Sequence, residues 1–210
     1  MPRVRVHQHV NPLAPFYRFK PEPVMPEKVF ETPELPLFVD IGCARGRFLL
    51  KLAAVETGRN HLGVEIREPL VSEANRLAAE AGLKNLHYEF CNAMFELDTL
   101  LKSIPDGGVD TFAIQFPDPW FKKKHAKRRM VNEELVAAVA RKLATGGRVF
   151  VQTDIEFLAD EMFGLFRDSG LFDEMPLDSN PFPVKTEREQ AVEEKELPVY
   201  RMMFVKKGEK

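Results

Sequence analysis

Apolar residues first become regular at Leu37, where LFVDI (37–41) forms a short apolar run ending in a turn that holds Gly42 and Gly46. Beyond the turn, Phe48, Leu49, Leu52 and Ala53 recur at helical spacing and predict one buried face. HLGVEI (61–66) predicts a second strand, and residues 68–81 predict a helix stopped by Gly82. NLHYEFC (85–91) and VDTFAIQF (109–116) predict two more strands, the latter following a Pro-Asp-Gly-Gly turn at 105–108. Asn132 caps a predicted helix over 132–144, and its Glu133 and Glu134 suit the positive end of the helix dipole. Gly146 and Gly147 turn the chain into RVFVQTD (148–154), a fifth strand. A helix is predicted over 156–170, and LPVYRMMFVKK (197–207) predicts a closing strand. Strands alternating with helices of this length imply an α/β fold, with a parallel sheet and crossovers on both faces. The first 36 residues differ: they are rich in Pro, Arg and His and show no apolar period. They read as an extended basic arm, 1–36, ahead of a domain spanning 37–210.

Composition narrows the class. At 210 residues, 44% apolar and 30% charged, the chain fits one soluble globular domain with a sizeable core. Nothing approaches a membrane-spanning apolar run, and the N-terminus lacks an apolar signal core, so a cytoplasmic protein is expected. Cys43 and Cys91 make neither a disulfide framework nor a zinc cluster and read as buried thiols. His7, His9, His61, His87 and His125 fall at no metal-ligand spacing.

The net charge of -2 conceals an uneven distribution. Lys122, Lys123, Lys124, Lys127, Arg128 and Arg129 crowd into one acid-free run. Taking those six from the 30 basic residues leaves 24 against 32 acids. A basic patch on an otherwise acidic body is a docking feature for a polyanion such as RNA. Arg3, Arg5, Arg18 and Lys20 add a second acid-free cluster near the N-terminus.

The turn after the first strand reads Asp40-Ile41-Gly42-Cys43-Ala44-Arg45-Gly46, which is not the dinucleotide fingerprint. A carboxylate two residues before the turn repels a pyrophosphate but suits a cationic ligand. S-adenosyl-L-methionine (SAM) carries an ammonium and a sulfonium and no phosphate, so it fits better than NAD. Glu65 closes the second strand, where an acid accepts from ribose hydroxyls. Asn92, just after the third strand, is placed to meet the adenine edge. Turn glycines and strand-end acids occur in many α/β proteins; three at the ends of three successive strands carry the argument.

Phe116-Pro117-Asp118-Pro119-Trp120 follows the fourth strand, at the carboxyl edge where such sheets bind ligands. Two prolines hold Asp118 in a stiff, non-helical turn. Its position resembles the Asp/Asn-Pro-Pro-aromatic loop of amino-methyltransferases, although the second proline is absent here. The only Trp of the chain stands beside the six basic residues, which suggests base stacking as well as packing.

FPDPWFKKKHAKRRMV resembles the signature loop of the bacterial tRNA (guanine-N7-)-methyltransferases. The resemblance spans nearly the whole chain: RVRVHQHVNPL (3–13) is similar to the family's basic arm, FVDIGCARGRFLLKLA to its first SAM motif, and TEREQAVEEKELPVYRMMF (186–204) to its C-terminal Thr-x-x-Glu segment and strand. It implies a Rossmann-like class I methyltransferase with a mostly parallel seven-stranded sheet. It further implies SAM contacts at Asp40, Gly42, Gly46, Glu65, Asn92 and Asp118, with Asp118 also catalytic. The family's usual residues at the first and fifth of these positions are Glu and Asp. tRNA contacts are implied at Lys122, Asp154, Thr186, Glu187, Arg188 and Glu189, with no metal. The implied substrate is a guanosine in the tRNA variable loop; the resemblance fixes neither monomer nor homodimer.

The chemistry agrees with that resemblance. Guanine N7 has an in-plane lone pair, so attack on a sulfonium methyl needs alignment and charge stabilisation and no general base. A carboxylate accepting both donors of the guanine edge would select guanine over adenine, and the sequence offers Asp154 or Glu189 for it. Two alternatives stay open at this stage, an adenine-N6 or cytosine-N4 amino-methyltransferase and a non-catalytic RNA-binding protein that keeps the fold. By composition alone the acids from Glu187 to Glu196 read as an exposed face.

Overall fold

A computed structural model of the chain describes residues 10–208. Its strands are β1 (Leu37–Ile41), β2 (Asn60–Glu65), β3 (Leu86–Phe90), β4 (Val109–Gln115), β5 (Leu143–Thr153), β6 (Phe172–Pro176) and β7 (Tyr200–Lys206). They form one seven-stranded sheet in the order β3-β2-β1-β4-β5-β7-β6. The pairs from β3 through β5 are parallel, while β7 runs antiparallel to both β5 and β6. The chain winds outward from β1 in one direction and from β4 in the other. The crevice at the carboxyl ends of β1 and β4 is therefore the switch point where ligands bind in such sheets.

Alternating side chains divide the core between two faces. Phe38, Ala113, Phe150 and Met203 pack with α2 (Arg47–Val55) and α3 (Glu68–Glu80). Val39, Ile41, Phe112, Ile114, Val149, Val151 and Phe204 belong to the opposite cluster, with α4 (Ala93–Leu100), α5 (Glu133–Lys142) and α6 (Glu156–Asp168). Because both faces are covered, β1 and β2 are buried at every position, as central parallel strands require. Leu49 and Leu52, wholly buried on α2, each contribute about 1.5–3 kcal/mol by leaving water.

Besides the 3-10 turns Pro15–Tyr17 and Lys123–Arg128, four short elements lie outside the sequence expectations: α1 (Pro26–Val29), α4, β6 and α7 (Glu187–Glu193). Two carried readable signals. Ala93, Met94, Leu97 and Leu100 sit at helical spacing and are the buried face of α4. Thr186 is the N-cap of α7, its hydroxyl accepting from the Glu189 N–H at 3.1 Å. The helix expected over 132–144 ends at Lys142, because Leu143 turns extended and enters the core opposite Val109.

Residues 10–36 are tied to the domain. Val24 and Phe30 join the core, the Val24 N–H donates to the Leu100 carbonyl at 2.9 Å, and Asn60 donates to the Thr32 carbonyl at 2.8 Å. Arg3, Arg5, His7 and His9 lie outside the described residues.

Candidate active site

The turn after β1 is folded onto the end of β2. The N–H groups of Gly42 and Cys43 donate to the Val64 carbonyl at 2.8 and 3.1 Å, and that of Ala44 donates to Glu65 Oε2 at 3.0 Å. Gly42 and Gly46 both adopt left-handed backbone, with φ of 81° and 69°. At Gly46 the demand for glycine is also steric. An added Cβ would stand 2.4 Å from the Tyr88 ring, whose hydroxyl donates to the Gly46 carbonyl at 2.6 Å.

Two acids stand at the floor of this turn. Asp40 is almost wholly buried, and burial raises its carboxyl to about 7; the Gln115 amide at 3.4 Å opposes that rise and the Glu65 charge adds to it. Glu65 is held from both sides, its Oε1 accepting from the Arg67 N–H (3.0 Å) and Nε (2.8 Å), its Oε2 from Ala44. Burial works against the Arg67 guanidinium, but the Glu65 hydrogen bond and the Glu65 and Asp118 charges outweigh it and raise its pKa above the ordinary value. Asn92 is also buried, and its amide Nδ2 donates to the carbonyls of Pro12 and Tyr17 at 2.9 and 3.2 Å.

The loop after β4 contains strained backbone. Phe116 and Trp120 have φ of 50° and 45°, conformations that a bulky residue adopts only when its surroundings impose them. Arg129 imposes them in part. Its Nε donates to the Pro119 carbonyl at 3.0 Å, another of its nitrogens reaches the Trp120 carbonyl at 3.4 Å, and its guanidinium pairs with Glu161. Arg128 lies over the Trp120 ring at 4.9 Å, and His125 meets that ring edge-on at 5.7 Å. The basic run is therefore divided. Lys122, Lys123, Lys124 and Lys127 are exposed, while Arg128 and Arg129 brace the loop, a difference from the reading of all six as one phosphate-facing patch. Phe121, 68% exposed, meets Phe157 edge-to-face at 5.9 Å beside the lysines.

These parts surround a cleft of about 580 Å³. Among the residues singled out in the sequence, Asp40, Gly42, Glu65, Asn92, Asp118, Asp154, Thr186, Glu187 and Arg188 line it. Gly46 lies behind the turn against Tyr88, and Lys122 is exposed at the start of the short 3-10 segment Lys123–Arg128, so neither is among the lining residues. Glu189 also stands apart. It is fully buried and accepts from Asn180 (2.6 Å), Gln152 (3.2 Å) and Arg201 (2.8 Å). The acidic stretch is thus not a uniformly exposed face: Glu187 is exposed on α7, and Glu189 fastens that helix to the sheet.

Sequence reasoning did not single out Arg67, Gln115, Gln152 or the bracing role of Arg129. Gln115 and Gln152 link Asp40 to Glu189 through one line of amides, Gln152 donating to Gln115 at 2.9 Å. Two strand-end glutamines facing inward on paired strands were the available signal.

The cleft combines buried carboxylates and an exposed carboxylate on a strained loop with a neighbouring cationic surface. A cationic small molecule suits the first, and a polyanion suits the last. A family model described as a putative methyltransferase matches residues 34–202. The chain is 52% identical over 208 residues to a tRNA (guanine-N(7)-)-methyltransferase of Trichormus variabilis, with 97% of each chain covered. It is 50% identical over 211 residues to one of Synechococcus elongatus, with 98% of each covered. Among solved structures it is similar to the aminoglycoside resistance methyltransferase NpmB1, with a TM-score of 0.59 and 16% identity, covering 86% of this chain and 90% of that one. That likeness concerns the fold.

Proposed function

Because the chain belongs to the putative methyltransferase family, with tRNA (guanine-N(7)-)-methyltransferases as half-identical full-length relatives, we propose that it methylates N7 of a guanine in the tRNA variable loop, with SAM as methyl donor. The observation that carries this reading is the placement of Asp118. It stands on a strained loop at the switch point, lining the same cleft as the buried acids Asp40 and Glu65 and adjoining the exposed lysines.

The residues present fit the cofactor. Asp40 and Glu65 offer carboxylates at the cofactor end, and the turn from Gly42 to Gly46 binds back to β2 rather than presenting a phosphate cradle. Bound SAM supplies an electrophilic methyl group on a sulfonium. Asp40 complements its positive charge, and Glu65 accepts from the ribose hydroxyls with the lone pairs that Ala44 and Arg67 leave. Asn92 offers its amide oxygen to the adenine amine.

The purine becomes more positive as its N7 lone pair forms the new bond, and the Asp118 carboxylate stabilises that charge. No group needs to remove a proton before transfer. For the guanine edge the geometry favours Asp154, which lines the cleft and has one oxygen paired with Arg188, over Glu189, both of whose oxygens are occupied by Asn180, Gln152 and Arg201. N7 is inaccessible to side chains in the deep groove of a stacked RNA helix, so the target is a loop nucleotide. Lys122 and its exposed neighbours hold the surrounding phosphates, and α7 presents Thr186, Glu187 and Arg188 to the substrate side. A tRNA substrate supports the expected cytoplasmic location.

Incubation with unmodified tRNA and labelled SAM, followed by nucleoside analysis, tests the reading. 7-Methylguanosine is expected. N6-methyladenosine, N4-methylcytidine, or tRNA binding without SAM turnover would overturn it.

A further inference from the structure

Asn92 makes contacts that its position at the end of β3 did not foreshadow. Both hydrogen bonds of its amide nitrogen go to main-chain carbonyls of a segment some 75 to 80 residues earlier, those of Pro12 and Tyr17. Two further contacts fasten the same segment to the same edge. Phe19 stacks on Phe90 with ring centroids 4.5 Å apart, and the Arg18 guanidinium lies 3.8 Å over the Phe95 ring. Phe90, Asn92 and Phe95 thus form a row of anchors from β3 into α4, and residues 10–19 lie along it. Val10 and Pro12 line the cleft together with Cys91, Asn92 and Ala93.

We propose that residues 10–19 form a wall of the cofactor site and that Asn92 is its positioning residue, its amide nitrogen holding this strap while its oxygen serves the adenine amine. The inference rests on the SAM reading of the cleft. It follows from the chemistry of the side chain. A primary amide has two donor hydrogens and an acceptor oxygen, so it serves two carbonyls and an amine together. A carboxylate has acceptors only. Aspartate at 92 would set an anionic oxygen against two carbonyl oxygens and repel the strap. Asparagine is therefore the residue that makes the strap part of the site in this chain.

The variant Asn92→Asp separates the two roles. It keeps acceptors for the adenine amine, but it removes both donors to the strap. If Asn92 served the cofactor alone, affinity would hold. The strap predicts the opposite. Calorimetry with S-adenosylhomocysteine, without tRNA, should show binding about tenfold weaker, the scale expected when buried carbonyls lose their donors. Limited trypsin digestion should cut faster after Arg18 in the variant, and the ligand should slow that cut in the unaltered chain. Phe19→Ala, which loosens the strap without altering Asn92, should weaken binding about threefold. Unchanged affinity and an unchanged digestion pattern in both variants would overturn the strap. Failure of the unaltered chain to bind S-adenosylhomocysteine would instead overturn the SAM reading beneath it.

Discussion

The two ends of the cleft are built on opposite principles. At the cofactor end, Asp40, Glu65 and Asn92 are nearly inaccessible, and each is held by named partners: Gln115, Arg67 with Ala44, and the strap carbonyls. At the RNA end, Lys122, Lys123, Lys124 and Lys127 are exposed, and no described acid forms an ion pair with them. A small ligand of fixed shape rewards preorganised groups in a low-dielectric setting. A long, hydrated polyanion is captured by exposed charge, which acts at a distance and is screened by salt. Asp118 lies on the boundary, exposed itself but carried on backbone that the Arg129 brace holds in place.

That boundary position makes Asp118 the site of the largest expected effect. Asp118→Ala should lower methyl transfer by roughly a hundredfold or more, the scale for removing a preorganised electrostatic group. Filter binding should show tRNA affinity changed by only about twofold, since the lysines remain. Equal losses of transfer and binding would mean that Asp118 shapes the loop and does not face the reacting base.

Rigidity at the cofactor end is tested next by Gly46→Ala. The new methyl group would meet the Tyr88 ring at 2.4 Å on a left-handed backbone, which should cost about 2–4 kcal/mol in urea unfolding. Gly82→Ala is the comparison. Its φ of 68° is equally left-handed, but open space surrounds it, so only the backbone cost of about 1–2 kcal/mol should appear. Equal losses at the two positions would show that the Tyr88 contact yields easily.

How much of this was legible in the sequence follows the range of the interactions. The strand ends carrying Asp40, Glu65 and Asn92 were readable because alternation and turn glycines are local signals. The partners of Asn92 were not, because nothing near residue 92 points to Pro12 or Tyr17. Glu189 shows the same limit. In sequence it is one acid among several, whereas in the fold Arg201, paired across the sheet with Gln152, joins that amide in drawing it inside. Arg129 was grouped with its cationic neighbours for a similar reason. Its side chain turns inward because the strained loop leaves the Pro119 and Trp120 carbonyls in need of donors.

Titration offers a milder probe of the buried end. Burial raises the Asp40 carboxyl from an ordinary 3.8 to about 7. The folded chain therefore binds the extra proton between those values, and this group's contribution to stability is present at low pH and lost as pH rises through 7. Cofactor binding has the opposite sign, because a cation prefers the ionised carboxylate. Affinity for SAM should rise with pH toward 7 and level off above it, with a slope of at most about tenfold per pH unit. Asp40→Asn should flatten that dependence, and a slope that survives the substitution would assign it to another group.

The smallest effects belong to single lysines, and they distinguish the RNA end most directly from the loop brace. If about four cationic side chains reach phosphates, log affinity for tRNA should fall against log salt with a slope of roughly -3 to -4. Lys127→Ala should reduce that slope by about one and weaken binding only a few-fold near physiological salt, with transfer at saturating tRNA retained. Arg129→Ala should do the reverse. Its guanidinium is occupied by Pro119, Trp120 and Glu161, so the salt slope should persist while transfer falls with the loss of loop geometry. A matching drop in slope for Arg129→Ala would return that residue to the phosphate-facing set and leave the strained loop to be held by its prolines and by the stacking of Arg128 on Trp120.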